Sequence, residues 1–267
     1  MWQGTRINDL HLAWVLARRD LSNRYAASYF GFVWTIGVPL VYALINIVVF
    51  SMMMRGRMGD RYADVPFTVF YFIALSQWIL FAEAVPRSAG IVREYSYLLR
   101  TRVGFPAWII PILPLASAAV TQLVVISLGI ASMVANDIIP STSAVLFIFV
   151  TACTVILTLG VSYIVAAISV YVPDMSQAVP IFVTMLFWLT PILYPPSMLE
   201  GAPAIVRHLI LTFNPFYYLT ETARLAVLGT IEPVWPKLLV PFVFGVSVLV
   251  VGHWIFRKLR PGFTDVL

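Results

Sequence analysis

Four aromatic residues, Phe67, Tyr71, Trp78 and Phe81, recur at helical spacing within one apolar run. Aromatic faces stack on the C–H surfaces of sugars without reading any one hydroxyl pattern, which suits a polymer that slides past them. The same spacing serves helix packing and interfacial belts, and both readings stand at this point. Tyr25, Tyr29, Phe30 and Trp34 form a second aromatic group; Phe213, Phe216, Tyr217 and Tyr218 form a third. Arg18, Arg19 and Arg24 stand just before the first apolar run. Planar guanidinium forks match phosphate oxygens, so these three suit a lipid-linked diphosphate, or else plain anchoring at the lipid headgroups. Glu83 is the one acid inside an apolar run, and Arg87 follows one turn later on the same helical face as a structural partner.

Other chemistries lack their residues. No GxxxxGK[ST] phosphate loop occurs, and Lys237 and Lys258 are each followed by Leu and not preceded by Gly, so the chain cannot cradle a nucleotide in that way. His11, His208 and His253 lie far apart, with no HExxH or CxxC, and Cys153 stands alone within an apolar run; no metal ligands and no catalytic residues are expected. Asp60 and Asp64 flank Arg61 as a solvated turn does.

Hydrophobic residues make up 61% of the 267 and charged residues only 11%, where soluble domains carry about 25% charged. A mean hydropathy of +0.91 cannot be hidden in a core of this size. The chain is therefore expected to be an all-α membrane protein, one transmembrane domain over 1–267. Six runs reach the length that a bilayer crossing needs: Val33–Met54, Pro66–Val85, Ala107–Ala135, Ala144–Val172, Ala178–Tyr194 and Leu238–Phe256. Arg6, Asp9, Arg18, Arg19 and Asp20 break any signal-peptide core. Ile7, Leu10, Trp14, Ala17 and Leu21 recur as on an interfacial helix, so 1–30 is read as that helix and the approach to the first span; the alternative is that this stretch simply begins the span.

Between the second and third spans, 87–105 is too charged for hydrocarbon and is expected as a cytoplasmic turn with a short helix near Ile91–Leu99, large enough to dock a partner. Between Pro195 and Lys237 the apolar stretches Ala202–Thr212 and Pro215–Gly229 are each too short to cross. Asn214 is a good helix N-cap, Pro215 suits the first helical position and Gly229 a stop, so 196–236 is expected as a re-entrant outer hairpin, with two helices lying flat outside as the alternative. With both termini cytoplasmic, 11 Lys and Arg fall inside and 6 outside, as the positive-inside rule asks. The basic balance then reads as membrane topology and not as nucleic-acid binding.

These pieces in this order resemble the membrane subunits of type-2 ABC exporters, specifically the polysaccharide and polyol-phosphate exporters that include O-antigen and teichoic acid permeases. Arg19-Asp20-Leu21 with Arg24-Tyr25, Gly31-Phe32-Val33-Trp34 and Pro39-Leu40 resemble the family's approach to its first span. Gly104-Phe105-Pro106 with Ile110-Pro111 is similar to its exit from the coupling segment. Thr190-Pro191-Ile192-Leu193-Tyr194-Pro195, Asn214-Pro215-Phe216-Tyr217-Tyr218-Leu219 and Arg224 are similar to its outer hairpin, and Lys258 to Leu267 to its ending. Pro173-Asp174 and Phe105-Pro106-Ala107 depart from the Arg-Asp and Phe-Pro-Arg often found there.

The resemblance implies a multi-pass protein of the bacterial inner membrane and a homodimer of this chain. It implies two copies of a separate nucleotide-binding ATPase subunit, with ATP and Mg bound there and no cofactor on this chain. An undecaprenyl-diphosphate-linked glycan would then pass Phe67, Tyr71, Trp78, Phe81, Tyr25, Tyr29 and Trp34, its diphosphate meeting Arg18, Arg19 and Arg24. Arg93, Glu94, Tyr95, Arg100 and Arg102 would couple to the ATPase, and Phe213, Phe216, Tyr217 and Tyr218 would form an outer gate. Teichoic acid, capsule, lipid or drug export are alternatives within the class. A gradient-driven secondary transporter is an alternative outside it, although the sequence shows neither the internal repeat nor the paired helix breaks of that class. A membrane-embedded glycosyl or phosphosugar transferase would need acidic metal ligands or a general base that the sequence does not display.

Overall fold

The computed structural model describes residues 6–24, 29–31, 33–101, 105–229 and 235–266. Among them the fold is all helix, with no strand. Its α-helices are α1 (Arg6–Arg24), α2 (Val33–Met53), α3 (Phe67–Glu94), α4 (Ser96–Thr101), α5 (Ile112–Ala135), α6 (Leu146–Tyr171), α7 (Met175–Leu189), α8 (Ala204–Leu211), α9 (Pro215–Leu228), α10 (Trp235–Leu259) and α11 (Phe263–Val266). Five helical stretches among the described residues are long and apolar enough to cross a membrane: Ile36–Met53, Phe67–Glu94, Ala107–Ala135, Thr142–Tyr171 and Lys237–Val266.

Two elements differ from the sequence expectation. The fifth expected run forms α7, a helix of 15 residues, roughly 22 Å long against a hydrocarbon core of about 30 Å. It stops at Leu189 because Thr190 precedes Pro191 and is held extended, at φ −97° and ψ 133°. The second run is longer than expected: α3 continues through Pro86 and Arg87 to Glu94, so the first half of the expected cytoplasmic turn is helix. A proline removes one backbone hydrogen bond without ending a helix that is packed on several sides. At 28 residues, α3 is roughly 42 Å long, so its last turns outrun the hydrocarbon.

Helix α3 is the hub, packed by α5, α6, α9 and α7. Buried amides hold it in place. Gln77 donates to Thr151 Oγ1 (3.3 Å) and accepts from Thr154 Oγ1 (2.8 Å) on α6, and Gln122 on α5 donates to the Ser76 carbonyl (2.9 Å). Without water in the bilayer, such interhelical bonds and close backbone packing do much of the work of association. The closest packing is between α6, which also carries the buried Cys153, and α10. A Cβ added to Gly160 would fall 2.6 Å from the Leu249 nitrogen, and Gly252 lies against the Gly160 carbonyl. Gly160→Ala is therefore expected to cost about 1–3 kcal/mol by overpacking, read as an earlier thermal melt of the protein in detergent. An unchanged melt would show that the two backbones can separate freely.

The helix ends sort into two groups. At one end, Arg93 donates to the Val170 carbonyl (3.2 Å), Tyr171 to the Leu259 carbonyl (2.8 Å) and Arg260 to the Phe105 carbonyl (2.9 Å). The ends of α3, α6 and α10 and the approach to α5 thus meet there, together with α1 and α11. At the other end, the Ser141 amide and Ser143 hydroxyl donate to Val227 (2.8 Å) and Ala226 (2.9 Å), tying the α5–α6 loop to the end of α9. Helix α7 begins just after α6 at the first end, and the Pro191 and Ile192 carbonyls that follow it meet the second.

Helix α1 lies along the start of α5. Within the stripe read from the sequence, Trp14 is 68% exposed while Ala17 turns toward the protein. Leu12, Ala13, Leu16 and Ala17 pack against Ile91, Tyr95, Phe105 and Leu113. The helix thus has two apolar sides, one for the protein and one left outward, and the leucines outside the stripe are the ones that dock.

Candidate functional site

A groove of about 370 Å³ runs between α2, α3 and α7, lined by Tyr42, Trp78, Ala82, Pro86, Pro180, Val183, Thr184 and Phe187. Trp78 is the one member of the predicted aromatic stripe that lines it. Trp78 is itself only 3% exposed, and the other three are likewise turned into the chain's own core. Phe67 and Tyr71 stack with ring centres 5.9 Å apart, the Tyr71 hydroxyl accepts from Asn46 (3.2 Å), and Phe81 meets Phe216 at 4.5 Å. Tyr29 and Trp34 are exposed near the start of α2, and Tyr25 lies outside the described residues. Tyr42, 66% exposed, is a wall residue that sequence reading missed. A lone tyrosine in a run of Val, Ala, Leu and Ile was its only signal.

The hairpin side is built around a buried arginine. Asn214 caps α9, accepting from the Phe216 amide (3.0 Å), with Pro215 at the first helical position and Gly229 at φ +87° as the stop. Phe213 is exposed, Tyr217 and Tyr218 are half-buried, and Phe216 is buried against Trp78 (5.0 Å) and Phe81. Two turns along, Arg224 is fully buried. It donates to the carbonyls of Phe70 (3.2 Å), Pro191 (2.8 Å) and Ile192 (2.9 Å), lies 3.4 Å over the Phe70 ring and pairs with Glu221 at 3.5 Å. Glu221 also accepts from the Tyr62 hydroxyl (2.7 Å) and meets Arg61 at 3.7 Å, which anchors the loop before α3. Five donors in a planar fork are what three carbonyls and a carboxylate require, and lysine cannot supply them.

A second buried charge lies at the other end. Asp20 on α1 is fully buried; its Oδ1 accepts from Arg87 and from the Tyr95 hydroxyl (3.1 Å), while Arg87 also donates to Ser117 (3.1 Å) on α5. Glu83, expected as the partner of Arg87, accepts from Thr121 (3.1 Å). Arg18 and Arg19 are exposed and line a shallow hollow on α1 with His11 and Trp14. Of the expected coupling residues, Arg93 and Glu94 are exposed and Tyr95 is buried. Arg102 lies outside the described residues, as do the side chains of Arg24 and Arg100.

Residues 11–228 match the family described as ABC-2 type transporter. The chain belongs to the ABC-2 type transporter family. Among its relatives, the O-antigen export system permease protein RfbA of Myxococcus xanthus is 30% identical over 94% of this chain and 93% of its own length. A protein of the same name from Klebsiella pneumoniae is 28% identical over 95% and 93%. The polysialic acid transport protein KpsM of Escherichia coli is 24% identical over 79% and 78%.

In this ABC-2 transporter both charged clusters use tyrosine as a neutral donor. Burial, and then the negative charge of Glu221, push the Tyr62 hydroxyl well above its ordinary pKa; burial, and then Asp20, do the same to Tyr95. Each therefore stays protonated at physiological pH and keeps donating to its carboxylate.

Proposed function

We propose that this chain is the membrane subunit of an ATP-driven exporter that moves a lipid-linked polysaccharide of O-antigen type across the bacterial cytoplasmic membrane. Two copies form the path, and two copies of a separate nucleotide-binding subunit bind ATP and Mg. The observation that carries this is the near full-length similarity to two O-antigen export permeases. The absence of a phosphate loop from the sequence supports an energy source on another chain.

Six crossings with both termini cytoplasmic fit the fold best. Helix α7 with its following turn runs from the end that holds α1 and α11 to the end that holds Arg224, which makes it a short sixth crossing. The hairpin reads as re-entrant, because Phe216 at the start of α9 touches Trp78 and Phe81 midway along α3, while Val227 reaches the α5–α6 loop. That is a descent of roughly 17 Å over 11 residues. Arg18 and Arg19 then stand where a lipid diphosphate arrives, and the exposed Arg93 and Glu94 where the ATPase docks, with Tyr95 buried behind them. The α2–α3–α7 groove presents Tyr42 and Phe187 to the moving glycan, with Trp78 packed at its floor and Phe213, Tyr217 and Tyr218 near its exit. A capsule-type polysaccharide is the second reading, on the similarity to the polysialic acid transport protein.

Purification of the chain with its candidate ATPase tests the assignment. A stable equimolar complex whose ATP hydrolysis rises with lipid-linked glycan is expected; failure to associate with any ATPase would remove the energy source. Within that complex, Tyr42→Ala tests the groove. The side chain is exposed, so stability should hold. Loss of one aromatic face, about 0.5–1.5 kcal/mol, should lower long-glycan export about two- to tenfold. Unchanged export of long chains would take Tyr42 off the path.

A further inference from the structure

We propose that Asp20 is the joint through which α1 and the end of α3 move together, a positioning residue that couples ATP hydrolysis to transport; this rests on the exporter reading above. Leu16 and Asp20 are the only buried residues among the described side chains of α1. Leu16, with Leu12, Ala13 and Ala17 around it, already gives the helix an apolar seat, and a carboxylate beside it adds desolvation cost. Replacing a buried ion pair by apolar side chains of similar volume is often neutral or stabilising. Stability alone therefore does not account for an acid at this position.

Its geometry does more than anchor. One oxygen, Oδ1, receives both Arg87 and the Tyr95 hydroxyl, whose backbones stand 8 residues apart, roughly 12 Å along the helix. Tyr95 is the cap at which α3 ends and α4 begins, so a change in angle between those helices is felt at Asp20. Arg87 passes the same contact to Ser117 on α5. The second oxygen, Oδ2, is buried and has no donor among the described residues. The carboxylate thus has a second arrangement at hand, in which the Arg87 fork engages both oxygens as Tyr95 withdraws. An element with two discrete arrangements, biased from two sides, is the physical basis of coupling.

The experiment compares wild type, Asp20→Asn and the double variant Asp20→Leu, Arg87→Met. Each is purified with the ATPase and placed in vesicles carrying lipid-linked glycan, and export per ATP hydrolysed is read. For Asp20→Asn the complex is expected to assemble and keep its basal hydrolysis while export per ATP falls roughly tenfold, within the range of an ordinary coupling free energy. The double variant is expected to melt at or above the wild-type temperature and still lose export per ATP, which a merely structural pair would not produce. Wild-type export per ATP in either variant overturns the proposal, as does a double variant that melts far below wild type. A wild-type complex that neither hydrolyses nor exports overturns the exporter reading, and this proposal with it.

Discussion

Arg224→Ala is expected to yield almost no folded protein from the membrane. The side chain is fully buried, and its loss strands three carbonyls, on Phe70, Pro191 and Ile192, together with the Glu221 carboxylate. Removing one partner of a buried pair costs about 3–5 kcal/mol, because the remaining charge is left without compensation. Marginal stabilities are of the same order. The carbonyls belong to two segments, α3 and the turn after α7, so the variant also loses the pin that ties both to α9. Arg224→Lys should recover little, since a point charge on a flexible stem cannot serve acceptors on three sides. Yield of monodisperse protein in detergent and its thermal melt are the measurements. A well-behaved Arg224→Ala protein melting with the wild type would mean that water or lipid headgroups satisfy those carbonyls.

Phe216→Ala comes second in expected effect. The ring is 1% exposed and fills the corner between Trp78 and Phe81 at the start of α9. Within a bilayer the transfer term for an apolar side chain is small, because lipid is as apolar as the core. What remains is the cavity and its lost dispersion contacts, about 2–4 kcal/mol for a deleted ring that the surroundings cannot refill. The loss should loosen α8 and α9 before the rest, so faster amide exchange over 204–228 with little change in α5 and α6 is the expected signature. Uniform destabilisation across the chain would mean that the hairpin and the bundle unfold as one.

Local stereochemistry was the most legible level of this chain. Asn214, Pro215 and Gly229 declare their roles because a cap, a first-turn proline and a left-handed stop depend on neighbours within four residues. The long apolar runs behaved likewise, with α2, α6 and α10 ending within three residues of the expected limits. Failures came where a tertiary partner decides. The charges of Arg87, Arg93 and Glu94 suggested a turn, yet α3 runs through them, Arg87 finding Asp20 and Arg93 the Val170 carbonyl. The Thr190-Pro191 step shortens α7 although the apolar run continues to Tyr194. In the site, helical spacing put Phe67, Tyr71, Trp78 and Phe81 on one face, but periodicity cannot say whether that face meets a ligand or another helix. Glu221 and Tyr62 escaped notice because their partners are 159 residues apart.

The single thiol gives the chain a practical property. Cys153 is 1% exposed on the inner side of α6, out of reach of water-soluble maleimides while the fold holds. The natural sequence is already a silent background for site-directed spectroscopy. A cysteine introduced at Tyr42, on Phe213 or along α1 would carry the only reporter, and labelling of the unaltered chain would itself signal unfolding.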